Sequence, residues 1–184
     1  MASKQKTLDD AFHETLKDVY YAEKNSVRAL RKSAKAASDR DLREAFEQHA
    51  DESASQVERL ERVFEIIGKS PRAKTCEAMQ GLTAEMQEDL EDFQDSPAAD
   101  AVLIASAQAI EHYEIARYGT LKAWAGQLGH DDAADLLGQT LDEERKADDL
   151  LTEIAGRLNT EGKSSEAAPA RKASGNGGSR ARAS

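Results

Sequence analysis

An all-α fold, four long helices packed as an antiparallel bundle with one long crossover, follows from three features of the sequence. The 184 residues are rich in Ala, Leu, Glu and Lys, with three prolines and 5% aromatics, a strongly helical bias. Four stretches of nearly thirty residues repeat apolar positions at helical spacing, and no run of alternating β-branched residues reads as a strand. Each stretch also carries acidic side chains near the middle of its apolar stripe.

The first helix is expected over 8–36. Thr7 and Asp10 have capping-box spacing, and the stripe Leu8, Phe12, Leu16, Val19/Tyr20, Glu23, Val27, Leu30, Ala34 is broken at its centre by Glu23. Ser38 with Asp41 marks the start of a second helix over 39–67, stopped by Gly68. Its stripe is interrupted by His49, Glu52 and Gln56, which lie one turn apart on one face. Residues 68–96 form the crossover. A structureless connection of that length is unusual, so one or two short helices are expected within CEAMQGLTAEMQEDLEDF, and the return along the bundle makes the second and third long helices parallel. The third runs over 97–128, with Ser96 as cap and Pro97 in the first turn. Glu111 and Glu114 interrupt its stripe of Ala101, Ile104, Ala107, Ile115, Tyr118, Leu121 and Ala125. After Gly129 a fourth helix carries Glu144 and Asp148 in the same central place. Helices of this length span roughly 40 Å. Four of them with two short loops and one long crossover make a ferritin-like four-helix bundle over residues 1–159. Residues 160–184, rich in Ser, Ala, Gly, Lys and Arg, read as a disordered tail.

Composition narrows the function. The net charge of −10 opposes general nucleic-acid binding. The tail holds five basic and two acidic residues, a net +3, which leaves −13 on residues 1–159; weak contact with nucleic acid through the tail is the one such role left. One cysteine, Cys76, excludes an internal disulfide framework and a cysteine zinc cluster. No apolar run has the length of a membrane span, and the N-terminus lacks the apolar core of a signal peptide, so the expected home is the cytoplasm.

The acids carry the chemistry. The midpoints of antiparallel helices coincide in height, so Glu23, Glu52, Glu111 or Glu114, and Glu144 would converge. Carboxylates gathered in a dry core repel one another and pay a large desolvation cost, and Lys and Arg are nearly absent from the inner stripes at that level. Two metal ions would neutralise them, and carboxylate oxygen with little imidazole suits iron, or alternatively manganese. Glu114, Asp148 and His49 lie within a turn of these acids and are candidates to complete the ligand set, with Gln56 behind them. The bland alternative is that the acids are partly solvated or protonated. His112, one position from Glu111, diverges by about 100° around the helix. Tyr20, Tyr113 and Tyr118 are expected to pack, or to hydrogen-bond a ligand. Trp124, Met79 and Met86 read as packing, and His13 and His130 as surface or near-terminal residues.

The stretches LKDVYYAEKNSVRAL, FEQHADESASQVERLERVFEIIG, CEAMQGL, EHYEIARYGTLKAWA and LLGQTLDEERKADDLLTEIA resemble the YciE/YciF family of bacterial ferritin-like proteins over about residues 7–158. The resemblance implies a helical bundle with a dinuclear iron-type centre, a homodimer and a link to stress responses. By position it assigns the first acid to Glu23 in YYAEK, the second to Glu52 in HADES, the third to Glu111 and Glu114 in EHYE, and the fourth to Glu144 in DEERKAD. The chain departs from the wider ferritin-like Glu-x-x-His pattern, with Ser55 and Ala147 where histidines would stand.

The expected function is therefore a di-iron or di-manganese protein that handles oxygen or peroxide, by peroxide consumption or a ferroxidase-like reaction. A non-enzymatic helical stress protein with a structural metal site, and a DNA-protecting protein, are the competing readings.

Overall fold

A computed structural model of the chain describes residues 5–165, with side chains as far as residue 160. It contains five helices and, among the described residues, no strand: α1 (Leu8–Ala36), α2 (Arg40–Ile66), α3 (Glu77–Asp92), α4 (Ala99–Gln127) and α5 (Asp131–Ser165). Local chemistry sets most of the boundaries. The Thr7 side chain accepts from the Asp10 backbone while Asp10 accepts from that of Thr7, a complete capping box. Gly68 and Gly129 follow the C-caps of α2 and α4 with φ of 67° and 75°, a left-handed conformation that stops a helix cheaply in glycine.

Three boundaries differ from the sequence expectation. Asp39, not Ser38, caps α2, its carboxylate accepting from the Leu42 backbone. The backbone N–H groups of Ser38 and Asp39 are instead taken by the carboxylate of Asp100 at the start of α4, a contact 61–62 residues away along the chain. Helix α4 begins at Ala99 rather than Pro97, because Ser96 spends its hydroxyl on the Ala98 N–H two residues on, in a tight turn preceded by Asp95 at φ 60°. Helix α5 runs through Ser165, past the expected end of the bundle at residue 159. Extending a formed helix costs far less than nucleating one, and Thr160 returns a hydroxyl bond to the Gly156 carbonyl. The rest of the expected disordered tail, residues 166–184, lies outside the described residues.

The four long helices close into a ring: α1 packs on α2, α2 on α5, α5 on α4 and α4 on α1, while α3 lies against α4 and α1. The pairings run in opposite directions. Gln108 meets Thr152 and Gly138 lies beside Lys122 across α4 and α5, while Arg157 meets Asp39 and Arg59 meets Thr140 across α5 and α2. Helices α2 and α4 are consequently parallel, across the diagonal of the ring. None of the described helices is long and apolar enough to cross a membrane.

Two apolar clusters fill the interior. One, toward the α1–α2 turn, contains Leu30, Leu42, Phe46, Ile104, Ile110 and Leu151, and the α3 methionines Met79 and Met86 close over it. The other contains Phe12, Leu16, Leu60, Phe64, Leu121 and Leu137. Between them every long helix contributes buried polar side chains: Glu23 and Ser26, His49, Ser53 and Gln56, Glu111 and Glu114, and Glu144.

Candidate metal centre

The polar layer is built by helical spacing. On α2, His49, Ser53 and Gln56 recur at four and three residues and face inward; on α4, Glu111, Glu114 and Tyr118 do the same. Glu23 comes from the middle of α1 and Glu144 from that of α5, both fully buried. Nε2 of His49 lies 3.2 Å from Oε2 of Glu111 and 3.4 Å from Oε2 of Glu144. One ligand atom from each of these three residues falls within 4.8 Å of the others.

On the α1 side, Tyr118 donates its hydroxyl to Oε2 of Glu23 at 2.5 Å, and Ser26 donates to Oε2 of Glu114 at 3.3 Å. Each of those carboxylates leaves its other oxygen, Oε1, buried with no hydrogen-bond partner, and neither oxygen of Glu144 has one, although Oε2 lies 3.4 Å from the His49 ring. Buried carboxylate oxygens without partners are costly, and here three acids of one layer carry them.

Burial drives the electrostatics. Desolvation, reinforced by the Glu144 charge, lifts the Glu23 carboxyl to about 8 against a restraining hydrogen bond from Tyr118. Desolvation also lifts Glu111 to about 8, although His49 pulls the other way. Glu114 is pushed well up by burial and by the charges of Glu23, Glu144 and Glu111. For His49 burial favours the neutral ring, but contacts with Glu111, Glu144 and Glu52 outweigh it and hold the ring well above its ordinary value. The donor set fits divalent iron or manganese. It offers acidic oxygens in excess, one imidazole and no thiol, and a bound cation would answer the orphaned oxygens and favour the charged form of every acid.

Five of the seven expected ligands thus meet in the interior: Glu23, His49, Glu111, Glu114 and Glu144. Glu52 and Asp148 stand at its edges. The Glu52 side chain is 39% exposed, on the flank of α2 toward α5, with Oε2 3.5 Å from Nδ1 of His49 and Oε1 accepting from Gln48. Contact with His49 holds its carboxyl below the ordinary value. Asp148 faces α4 instead, accepting from Gln108 at 2.9 Å with Nε2 of the exposed His112 3.4 Å away.

Of the tyrosines, only Tyr118 reaches an acid of the cluster. Tyr20 donates to Glu61 at 2.6 Å, and Tyr113 pairs with Cys76 at 2.9 Å. Met79, Met86 and Trp124 pack in the apolar clusters. His13 and His130 sit against the rings of Phe64 and Phe12. Sequence reasoning set Ser53 beside Glu52 on the inner stripe of the second helix without giving it a role, and passed over Ser26, which lies within a turn of Glu23; both are buried. It also passed over Arg59, which grips Glu143 with both terminal nitrogens at 2.7 and 2.9 Å while Gln56 donates to the same carboxylate.

Comparisons agree with this architecture. The family model for a domain of unknown function, DUF892, matches residues 7–163. Protein YciF of Escherichia coli K12 is 47% identical over 152 residues, covering 82% of this chain and 91% of its own. The crystal structure of the E. coli stress protein YciF superposes with a TM-score of 0.81 at 43% identity, covering 85% of this chain and 99% of that one. YcfI of Rhodopseudomonas palustris gives 0.79 at 41% identity, over 83% and 97% of the two chains. A protein of Xanthomonas campestris pv. campestris, 20% identical, shares the fold with a TM-score of 0.70 over 87% of this chain and 99% of its own. The chain therefore belongs to the DUF892 family, the YciE/YciF group that its sequence motifs resemble.

Proposed function

We propose that this protein is a ferritin-like, dinuclear metal-carboxylate protein of the stress response, acting in the cytoplasm as a homodimer and reacting with oxygen or peroxide. The observation that carries the reading is the set of buried, partnerless carboxylate oxygens in the same layer as the His49–Glu111–Glu144 group. His49, Glu111 and Glu144 would hold one ion, and Glu23 and Glu114 would face a second. Glu52 and Asp148 would join only by turning inward. Bound iron or manganese would supply one-electron redox changes and a Lewis-acidic seat for a small oxidant. The chain's own part is to concentrate negative charge, to hold a proton between Tyr118 and Glu23, and to keep water out with an apolar cluster on either side. The description of E. coli YciF as a stress protein supports the setting.

The test is elemental analysis of protein produced with ample iron and manganese, followed by loss of added peroxide and by oxygen uptake with Fe(II). Two ions per chain, at least one of them lost in Glu111→Ala and in Glu144→Ala, are expected together with peroxide consumption or Fe(II) oxidation. Retention of neither metal would overturn the reading. YcfI is described as a proposed structural protein, which favours a second reading with a purely structural site. That reading is distinguished by metal held tightly with no response to peroxide or to Fe(II) and oxygen.

A further inference from the structure

An ion has to travel from water to ligands that are sealed in the interior. Glu23, Glu111, Glu114 and Glu144 are at most 1% exposed, and an apolar cluster closes the layer on either side. His49, at 5%, is the most open of the five. Its ring stands between two sets of carboxylate oxygens. Nε2 is 3.2 Å from Oε2 of Glu111 and 3.4 Å from Oε2 of Glu144, and Nδ1 is 3.5 Å from Oε2 of Glu52, whose side chain is 39% exposed. Nδ1 is buried and makes no hydrogen bond, so no bond locks the ring on the Glu52 side.

A cleft of about 350 Å³ between α2 and α5 leads from solvent to this ring. The short side chains of Ala45 on α2 and Ala147 on α5 leave the space between the helices. Three charged side chains line it: Glu52, Glu143 and Lys146. Glu143 is fixed, because Arg59 binds both its oxygens at 2.7 and 2.9 Å and Gln56 donates to one of them at 3.0 Å. Glu52 is held more lightly, by Gln48 four residues back on the same helix, whose amide donates to Oε1 at 2.8 Å. A pair of that kind on a helix surface is a weak tether. A small divalent ion gives up its waters only for other oxygen ligands. Glu52 can turn to supply one at the rim, whereas Glu143, already gripped by a guanidinium and an amide, cannot.

We propose that divalent cations reach the centre through this cleft, that Glu52 is the carboxylate that receives them from water, and that the His49 ring is the door, turning aside to pass the ion to Glu111 and Glu144. The proposal rests on the metal centre proposed above and adds its route of filling. Glu52 is then a transfer ligand rather than a resident one, and the exposed Lys146 at the same mouth opposes entry.

The experiment is stopped-flow mixing of chelator-stripped protein with Co(II), followed by the visible absorption of the bound ion. Release is timed with excess chelator, and affinity and metal content are read at equilibrium. Glu52→Gln should slow loading about tenfold at low salt, and Lys146→Glu should speed it about threefold, a gain that fades as salt screens it. Ala147→Trp narrows the cleft from α5 and should slow loading and release by the same factor with affinity unchanged, since both directions cross one barrier. Asp148→Asn, at the α4 edge of the layer, should load at the parental rate. All four variants should hold as many ions at equilibrium as the parent chain. Parental loading by Glu52→Gln, or by a folded Ala147→Trp, overturns the route. Slowing by Asp148→Asn alone places entry between α4 and α5 and overturns it too. Should Ala147→Trp fail to fold, the Glu52 and Lys146 variants decide. Loss of an ion at equilibrium in Glu52→Gln makes that residue a resident ligand and overturns its transfer role, with the metal centre left standing. A parent chain that takes up no metal overturns the centre and its route together.

Discussion

The buried acids should make the metal-free protein less stable as pH rises, the reverse of ordinary acid denaturation. The carboxyls of Glu23 and Glu111 are raised from 4.5 to about 8, chiefly by desolvation. A carboxyl raised in the folded state contributes stability that is fully present below its unfolded value and is lost as pH climbs through the folded one. The window is therefore about pH 5 to pH 8. One pKa unit is worth ~1.4 kcal/mol, so either carboxyl alone accounts for roughly 5 kcal/mol. The two interact with the same neighbours, Glu144 and His49, so the total is of that order rather than double it. His49, raised against its own burial by its carboxylate partners, acts in the same direction. The assay is urea unfolding of chelator-treated protein at pH 5, 6, 7 and 8, followed by circular dichroism. The midpoint should fall steadily across the series, and Glu23→Gln should flatten the fall. Saturating Mn(II) should reverse the trend, because metal and protons compete for the same oxygens. A metal-free midpoint that is flat or rises from pH 5 to pH 8 would refute the buried, uncompensated acid layer.

Three further outcomes follow from particular contacts. Phe64 is fully buried and meets the Tyr20 ring edge-on at 5.6 Å; Phe64→Ala should cost about 3–5 kcal/mol in denaturant unfolding. Asp39 caps α2 and also takes a two-nitrogen grip from Arg157, which brings its carboxyl down to about 2. Asp39→Ala should cost about 1–2 kcal/mol, mostly the cap, since the partly exposed ion pair adds little. That ion-pair contribution is present above about pH 3.8 and disappears as pH falls through about 2, so the gap between the two proteins should narrow by that small share in acid while the larger part, from the cap, remains. Tyr118→Phe removes the hydroxyl that orients Glu23; affinity for Mn(II), measured by competition with a chelator, should drop about tenfold while the fold persists. Unchanged affinity would show that the bond does not position Glu23.

The parts of this structure that were legible in the sequence are those fixed by residues near one another in the chain. The Thr7–Asp10 box placed the start of α1 to the residue, and Gly68 and Gly129 marked two helix ends, because each acts within one turn. The start of α2 was missed by one position because the deciding partner, Asp100, is on another helix. The same division holds at the site. Helical periodicity placed Glu23, Glu111, Glu114 and Glu144 inside, since an apolar stripe broken by an acid leaves that acid no other direction. It also put Glu52 and Asp148 on the inner stripes. They lie on stripe edges, where the neighbouring helix decides which way a side chain turns, and α5 and α4 leave both partly open. The hydroxyl of Tyr118 on Glu23 and the grip of Arg59 on Glu143 span 95 and 84 residues. No local pattern encodes either.

The division of the interior into two apolar clusters has a consequence for cooperativity. Each half buries its own set of large side chains, and in the metal-free protein the halves meet through groups that repel one another. The end covered by α3 and the uncovered end should then exchange their amide hydrogens at different rates, as two loosely coupled units. Ions at the junction would tie both to the same opening event, so that filling the centre turns a two-step melt into a single one.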